Sequence, residues 1–235
     1  MDLKPARDGE SVAWLASHRY AVLSGALALR LVTVPLVDMA IETLWFPATI
    51  AAKTAQLALL IFACILAVGR GRALVALGLA GLAGLLFEAI DALWPGATVA
   101  GGGQALFVCG MIAWAMAHLT RQAFVTQTVH ASNLHAAAAI YLMLGFAFAS
   151  LYQLVHVLQP GAFRIPEDTG AARDTFLYFS FVTLTTMGYG DITPVTGTAR
   201  MLAVVEAIAG QIYPVLTVSR LVGMYVAQRT DRGGG

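Results

Sequence analysis

The sequence predicts an all-α membrane protein with six transmembrane helices and one short re-entrant helix between the fifth and the sixth. Three observations predict this fold. Hydrophobic residues make up 59 % of the chain and charged residues 11 %, against about 25 % charged in soluble domains. Six apolar runs are long enough to cross the hydrocarbon core of a bilayer. Between the last two runs lies a shorter apolar stretch, and a Gly-aromatic-Gly sequence directly follows it.

The six apolar runs define the predicted spans, since a transmembrane helix needs roughly 17–25 apolar residues. Their approximate limits are 19–38, 48–69, 73–94, 101–119, 134–158 and 197–226. The net charge of +1 gives no reason to expect a nucleic-acid partner, so membrane lipids are the expected surroundings. Cys64 and Cys109 lie inside apolar runs and are predicted to be free thiols.

Basic residues collect on one side of the predicted membrane. They precede the first span, separate the second from the third, and follow the fourth and the sixth; they are Lys4, Arg7, Arg19, Arg70, Arg72, Arg121, Arg229 and Arg232. By the positive-inside rule both termini are cytoplasmic. The N-terminal stretch mixes acidic and basic residues and does not predict a cleavable signal. A multi-pass protein of the plasma membrane is therefore expected.

Residues 186–190, which we call the filter segment, predict an ion site made of backbone carbonyls. Gly188 and Gly190 have no Cβ, so they can take backbone angles that turn successive carbonyl groups to one side. Four copies around an axis would stack rings of carbonyl oxygens that replace the hydration shell of a cation. Thr186 would add a ring of hydroxyls. The side chain of Met187 should point away from the ion path.

The segment before this site predicts a re-entrant helix. Residues 159–196 are too polar, and too often interrupted by Gly and Pro, to cross the bilayer again. Within them, residues 175–185 form about three helical turns of apolar and aromatic residues. Irregular backbone at membrane depth persists only where protein surrounds it or water fills a cavity. The partial negative charge at the end of this helix would favour a cation near the filter segment.

The order of span, short helix, Thr-Met-Gly-Tyr-Gly-Asp and final span resembles the pore module of potassium channels. Their usual signature is Thr-Val-Gly-Tyr-Gly-Asp, so Met187 occupies the Val position. The resemblance covers about residues 134–228 and implies K⁺ as the permeant ion. One chain holds a single filter segment, which implies a homotetramer; two-pore-loop relatives carry a second signature, which this sequence lacks. The implied K⁺ ligands are Thr186, Met187, Gly188, Tyr189 and Gly190.

The same resemblance implies residues that support the filter. Asp191 at the outer mouth should accept a hydrogen bond from an aromatic residue of the re-entrant helix. The matching position is Tyr178, where the family usually has Trp; the alternative is a solvated Asp191. Thr185, which precedes the filter segment, is assigned to the same support. Glu206 in the last span could bond the base of the re-entrant helix, lend charge to the cavity, or bond a neighbouring Ser or Thr.

The last span also contains a predicted hinge. Gly210 lies nineteen residues after Asp191, the spacing of the hinge glycine in many potassium channels. Pro214 cannot donate to the carbonyl of Gly210, and its ring clashes there, so a kink at 210–214 is predicted. Below it, Val218 and Val222 could close the inner mouth by dewetting, or they could be ordinary lipid or bundle contacts.

The first four spans resemble the peripheral domain of the voltage-gated cation-channel superfamily, with one departure. A voltage sensor needs Arg or Lys at every third position of the fourth span. In this chain the fourth span has no Arg or Lys before Arg121. Voltage sensing is therefore expected to be weak or absent. Arg30 in the first span and the pair Glu88 and Asp91 in the third form a predicted charge cluster. It could be an ion pair that fixes packing, a ligand or proton site, or a residual field sensor.

Two domains are predicted: a four-helix peripheral domain with its linker at 1–130, and a pore domain at 131–235. No familiar cytoplasmic ligand-binding domain is expected. The leading interpretation is a potassium-selective channel, and the alternatives are a weakly selective cation channel or a subunit that is silent without a partner. An enzyme or a transporter is disfavoured. The sequence has no catalytic or metal-spaced cluster, and no pair of broken spans recurs as in inverted-repeat carriers.

Overall fold

A computed structural model of the chain describes residues 7–41, 98–125, 131–166 and 173–233, with scattered positions between 54 and 90. In chain order the elements are α1 (Arg7–Ile41), α2 (Thr98–Val125), α3 (Ala131–Leu158), β1 (Phe163–Arg164), α4 (Arg173–Leu184), β2 (Thr193–Pro194) and α5 (Gly197–Gly233). Two residues before the shortest of these helices pair with two residues after it as antiparallel β-strands.

Among the described residues, three helices are long and apolar enough to cross a membrane. They run over Gly102–Arg121, Leu134–Leu158 and Gly197–Ala227, and they correspond to the fourth, fifth and sixth predicted spans. The first predicted span lies within α1. The second and third fall where only scattered positions are described, so the count of six spans stays a prediction. The apolar part of α4 is too short to cross, which fits the predicted re-entrant helix.

Three predictions fall wholly or partly on residues outside the described part of the chain. Glu88 and Asp91, the acidic members of the predicted charge cluster, are among them, and so is Cys64. Cys109 is described and is a free thiol, as expected. Residues 126–130, which precede the predicted domain boundary, are also outside the described residues, so the division at residue 130 stays a prediction.

Helices α1 and α2 pack against α3 of the same chain. Their shared apolar core is formed mainly by buried side chains from these three helices, among them Leu23, Leu27, Ile112, Leu119, Ala139 and Met143. At one edge of the core the Arg30 guanidinium lies 5.3 Å from the centroid of the Phe146 ring. Phe146 in turn meets Phe181 of α4 edge to face, at 5.8 Å between centroids. Contacts therefore run from the peripheral helix α1 to the re-entrant helix.

A second core of aromatic rings lies between α3, α4 and the β-pairing. Tyr152 and Phe163 each make edge-to-face contacts with Phe179, at 4.9 and 5.7 Å between centroids. Phe163 also contacts Phe176 at 5.2 Å. Edge-to-face pairs add to the stabilisation that comes from burying apolar area. This core fixes the side of α4 that faces away from the filter segment.

The β-pairing holds together the two ends of the segment that carries α4. Phe163 lies opposite Pro194 and Arg164 lies opposite Thr193, and the Val195 amide donates to the Ala162 carbonyl at 2.8 Å. The sequence does not predict these strands, because two residues are too few to show an alternating apolar pattern. The all-α prediction therefore needs this small addition.

Candidate functional site: the filter segment and its supports

Helix α4 ends in a Schellman motif, and this motif begins the filter segment. The Thr186 amide donates to the Thr183 carbonyl at 3.0 Å, and the Met187 amide donates to the Val182 carbonyl at 2.9 Å. These are the two hydrogen bonds that define the motif, which needs a left-handed residue at the position of Thr186. Thr186 has a φ of 60°. The backbone of the filter segment is therefore tied to the last carbonyl groups of α4.

Left-handed and ordinary residues alternate along the filter segment. Thr186, Gly188 and Gly190 have φ values of 60°, 56° and 80°, whereas Met187 and Tyr189 are not left-handed. Two of the three left-handed positions are glycines, for which this conformation carries no steric cost. Thr186 is β-branched, so its positive φ is a strained conformation of the kind that collects at functional sites. Such alternation lets successive carbonyl groups point to the same side of the chain.

The larger side chains of the filter segment lie behind it, against α4. Met187 and Tyr189 line a groove together with Tyr178 and Val182 of α4. The rings of Tyr178 and Tyr189 are stacked, with centroids 6.4 Å apart and planes 16° apart. The expectation that the Met187 side chain points away from the ion path agrees with this groove.

Asp191 follows the filter segment and is bonded to α4. The Tyr178 hydroxyl donates to Asp191 Oδ2 at 2.7 Å, so the expected hydrogen bond is present. This bond lowers the pKa of Asp191 below its usual value and raises the pKa of Tyr178 to about 12, because it stabilises the carboxylate and the protonated phenol. Thr185, the residue after α4, is bonded back to this helix, because its Oγ1 donates to the Phe181 carbonyl at 2.6 Å.

The last carbonyl group of α4 is the point where three helices meet. The Tyr141 hydroxyl of α3 donates to the Leu184 carbonyl at 3.2 Å. From α5, Gly210 approaches so closely that a Cβ at this position would lie 2.1 Å from the Leu184 oxygen. Gly210 is buried. This contact gives a packing reason for a glycine at the position that the sequence assigned to a hinge.

The hinge and gate residues themselves are described, but their motion is not. Helix α5 continues through Pro214 without a break from Gly197 to Gly233. Val218 and Val222 are exposed in the single chain, as expected both of residues that face a pore and of residues that face lipid. A hinge at Gly210 and a gate at these valines stay predictions.

Glu206 lies directly behind α4. Its side chain is fully buried. The hydroxyl of Tyr152 on α3 donates to Glu206 Oε2, and Ser180 Oγ on α4 lies 2.5 Å from Glu206 Oε1. The Glu206 carboxyl thus connects α5 to both α3 and α4. Because Ser180 lies on the re-entrant helix, this contact agrees with two of the three readings left open by the sequence, a bond to that helix and a bond to a neighbouring serine.

Three residues at this site were not singled out from the sequence: Ser180, Tyr152 and Tyr141. Each carries one hydroxyl within an otherwise apolar helix face. Ser180 lies four residues before Leu184 and on the opposite side of α4 from Tyr178, a placement visible in a helical projection. What no projection gives is which helix faces each hydroxyl, and that depends on the packing of α3, α4 and α5.

Comparison with known proteins adds to this geometry. Residues 139–227 match a family model described as an ion channel. Two curated relatives, the proteins LctB of Bacillus caldotenax and of Geobacillus stearothermophilus, are each 36 % identical to this chain, over 88 and 86 residues. The aligned parts cover 35 % and 34 % of this chain, and only 64 % and 62 % of the relatives. No solved structure matches the chain significantly.

The region matched by the ion-channel family model contains α4, the filter segment and most of α3 and α5. This match points to a membrane channel protein and not to an enzyme.

Proposed function

We propose that this chain is one subunit of a homotetrameric, potassium-selective channel that conducts K⁺ passively through the filter segment. The single observation that carries the proposal is the alternation of left-handed residues at 186, 188 and 190. It supplies the backbone that a stack of carbonyl oxygens requires. The match of residues 139–227 to an ion-channel family supports ion conduction in general. The choice of K⁺ rests on the Gly-Tyr-Gly-Asp sequence.

The strained Thr186 adds support for a role of its hydroxyl. A left-handed β-branched residue costs of order 1–3 kcal/mol, and glycine would serve the Schellman motif without that cost. A threonine at this position therefore needs a reason other than the fold of α4. Coordination of K⁺ by its hydroxyl at the inner end of the filter segment is such a reason.

Assembly into a tetramer is supported by the surface of α5. This helix exposes a series of large apolar side chains in the single chain, among them Val204, Val205, Ile208, Ile212, Val215 and Leu216. One face of such a helix can contact lipid, while another can line a pore or pack against the next subunit. One chain supplies one filter segment, so four chains are needed to surround an ion. Cytoplasmic termini, a plasma-membrane location and weak voltage sensing belong to the same proposal.

The experiment measures ion selectivity of purified protein in planar bilayers or liposomes. We expect reversal potentials close to the K⁺ equilibrium potential in mixed K⁺ and Na⁺, and block by Ba²⁺, which has a similar size and twice the charge. Changing Tyr189 and Gly190 together should abolish the selectivity. Reversal potentials of a non-selective pore in the parent protein would refute the proposed K⁺ selectivity.

Gly161→Ala is a matched control for the glycine change. Gly161 has a φ of 83°, close to the 80° of Gly190, and a Cβ would meet nothing within 4 Å at either glycine. Both substitutions therefore carry the same kind of backbone strain, but only Gly190 belongs to the filter segment. Gly190→Ala should lower K⁺ selectivity, whereas Gly161→Ala should leave it at the parent value.

A further inference from the structure

The contacts of Glu206 limit which groups can supply the hydrogen atoms of its hydrogen bonds. Ser180 Oγ lies 2.8 Å from the Gly145 carbonyl oxygen and 2.5 Å from Glu206 Oε1. Its hydroxyl has one hydrogen to donate, and a carbonyl oxygen can only accept. If Ser180 donates to Gly145, the hydrogen between Ser180 and the carboxyl has to come from Glu206.

One arrangement makes every contact of the cluster a hydrogen bond. The protonated Glu206 donates from Oε1 to Ser180, Ser180 donates to the Gly145 carbonyl, and Tyr152 donates to Glu206 Oε2. An ionised carboxylate can only accept. It would compete with Gly145 for the single hydrogen of Ser180 and leave one of the two contacts without a donor.

The surroundings of the carboxyl also favour the neutral form. The described titratable groups that act on it are the phenols of Tyr152 and Tyr141, both on α3. From α4 it meets the neutral hydroxyl of Ser180. None of these groups carries a positive charge, and a fully buried carboxylate without a cationic partner is strongly unfavourable. Two hydroxyl donors do not replace such a partner.

We propose that Glu206 is held as a neutral carboxylic acid, and that in this form it positions α4 and thereby the filter segment. The role in conduction rests on the function proposed above; the protonation state does not. Through Ser180 the acid fixes α4 one turn before Leu184, whose carbonyl is held by Tyr141. Helix α4 is thus held at two successive turns. Because the Schellman motif connects α4 to residues 186–190, the position of the helix also determines the position of these residues.

Infrared difference spectroscopy tests the protonation state directly. The spectrum of the purified protein minus that of Glu206→Gln should contain the carbonyl stretch of a protonated carboxylic acid, at neutral pH. A difference spectrum with carboxylate bands only would overturn the proposal. This measurement needs no ion conduction, so it decides the protonation state even if the chain proves not to be a K⁺ channel.

Conduction by three variants tests the positioning role. Glu206→Gln keeps a donor and an acceptor at the end of the side chain, and so should retain the permeability ratio of the parent. Glu206→Ala removes the contacts with both hydroxyls, and the loss of a buried hydrogen-bond partner corresponds to about tenfold in an equilibrium. We expect the K⁺ over Na⁺ permeability ratio to fall by about that factor. Ser180→Ala, which removes only the connection to α4, should show a comparable fall.

The dependence on pH separates positioning from mere support of the fold. Alkaline solution should reduce selective conduction in the parent as Glu206 ionises, while Glu206→Gln, which has no proton to lose there, should keep a flat profile. Equal losses in Glu206→Gln and Glu206→Ala, or the same alkaline decline in the parent and in Glu206→Gln, would contradict the proposal. If Glu206→Ala does not fold, the Gln variant and the infrared spectrum still decide it.

Discussion

Replacing Gly210 by alanine places a methyl group against the end of α4. The new Cβ would lie 2.1 Å from the oxygen, 2.9 Å from the carbonyl carbon and 3.1 Å from the Cα of Leu184. All three are backbone atoms, so no change of side-chain rotamer relieves the contact. Carbon and carbonyl oxygen approach to about 3.3 Å. Helices α4 and α5 would therefore have to separate by about 1 Å at this point.

The expected cost follows from this geometry. Overpacking typically costs about 1–3 kcal/mol, and contact with a fixed backbone belongs in the upper part of that range. Alanine regains up to about 1 kcal/mol of helix propensity over glycine. The net destabilisation is then about 2 kcal/mol, which for a chain of this size corresponds to roughly 4–8 °C in melting temperature. K⁺ selectivity should fall as well, since Leu184 lies two residues before the filter segment.

The assay compares thermal unfolding and ion selectivity of Gly210→Ala with those of Gly223→Ala. Gly223 lies on the same helix, and a Cβ there would meet nothing within 4 Å, so its variant gains helix propensity without a new contact. A hinge role predicts a different result for Gly210→Ala: altered open probability at an unchanged melting temperature. Parent-like stability and selectivity in Gly210→Ala would refute the packing argument.

Four further predictions concern the filter and the peripheral helix. Tyr178→Phe removes the donor to Asp191 and keeps the ring, so macroscopic inactivation should change at unaltered selectivity; identical kinetics would show that the bond has no role in inactivation. Because the bonded form of Asp191 is the carboxylate and its pKa is lowered, the contribution of this bond is complete above about pH 4 and is lost as the pH falls through the lowered pKa. Inactivation recorded between pH 5 and 8 should therefore show no pH dependence that comes from this pair. A pH dependence in that range that is present in the parent and absent from Tyr178→Phe would contradict the assignment. Thr186→Gly should raise thermal stability by about 1 kcal/mol through relief of strain while weakening K⁺ conduction, and unchanged conduction would remove the hydroxyl from the ion path. Arg30→Met should lower the melting temperature, and the loss in the double variant with Phe146→Leu should be smaller than the sum of the two single losses, because either change alone removes the contact between them; fully additive losses would show that the two side chains act independently.

The part of the fold from α3 to α5 follows from its sequence more closely than the rest. Residues 134–158 and 197–226 were predicted as spans, and they lie within α3 and α5. The short apolar segment 175–185 corresponds to α4, which begins at Arg173 and ends at Leu184. Long apolar runs and a Gly-aromatic-Gly motif are local signals, so they can be read without knowing what packs against them.

Contacts between helices could not be predicted in the same way. A glycine in a transmembrane helix can serve bending or close packing, and the sequence of α5 does not distinguish these for Gly210. The contact with Leu184 does. Likewise, the cost of an intramembrane acid pointed to Glu206, but its partners Tyr152 and Ser180 lie 54 and 26 residues away. Arg30 contacts Phe146, and its predicted pairing with Glu88 or Asp91 stays a prediction.

The pairing of β1 with β2 makes the segment between them a closed loop. Its two ends lie side by side, since Phe163 faces Pro194 across the strands. A loop whose ends already meet can be exchanged without altering the distance that its flanking helices must bridge. Residues 165–192 could thus be replaced as a cassette by the corresponding segment of a known ion channel. A chimaera of this kind would reveal how far selectivity belongs to the cassette and how far to the helices around it.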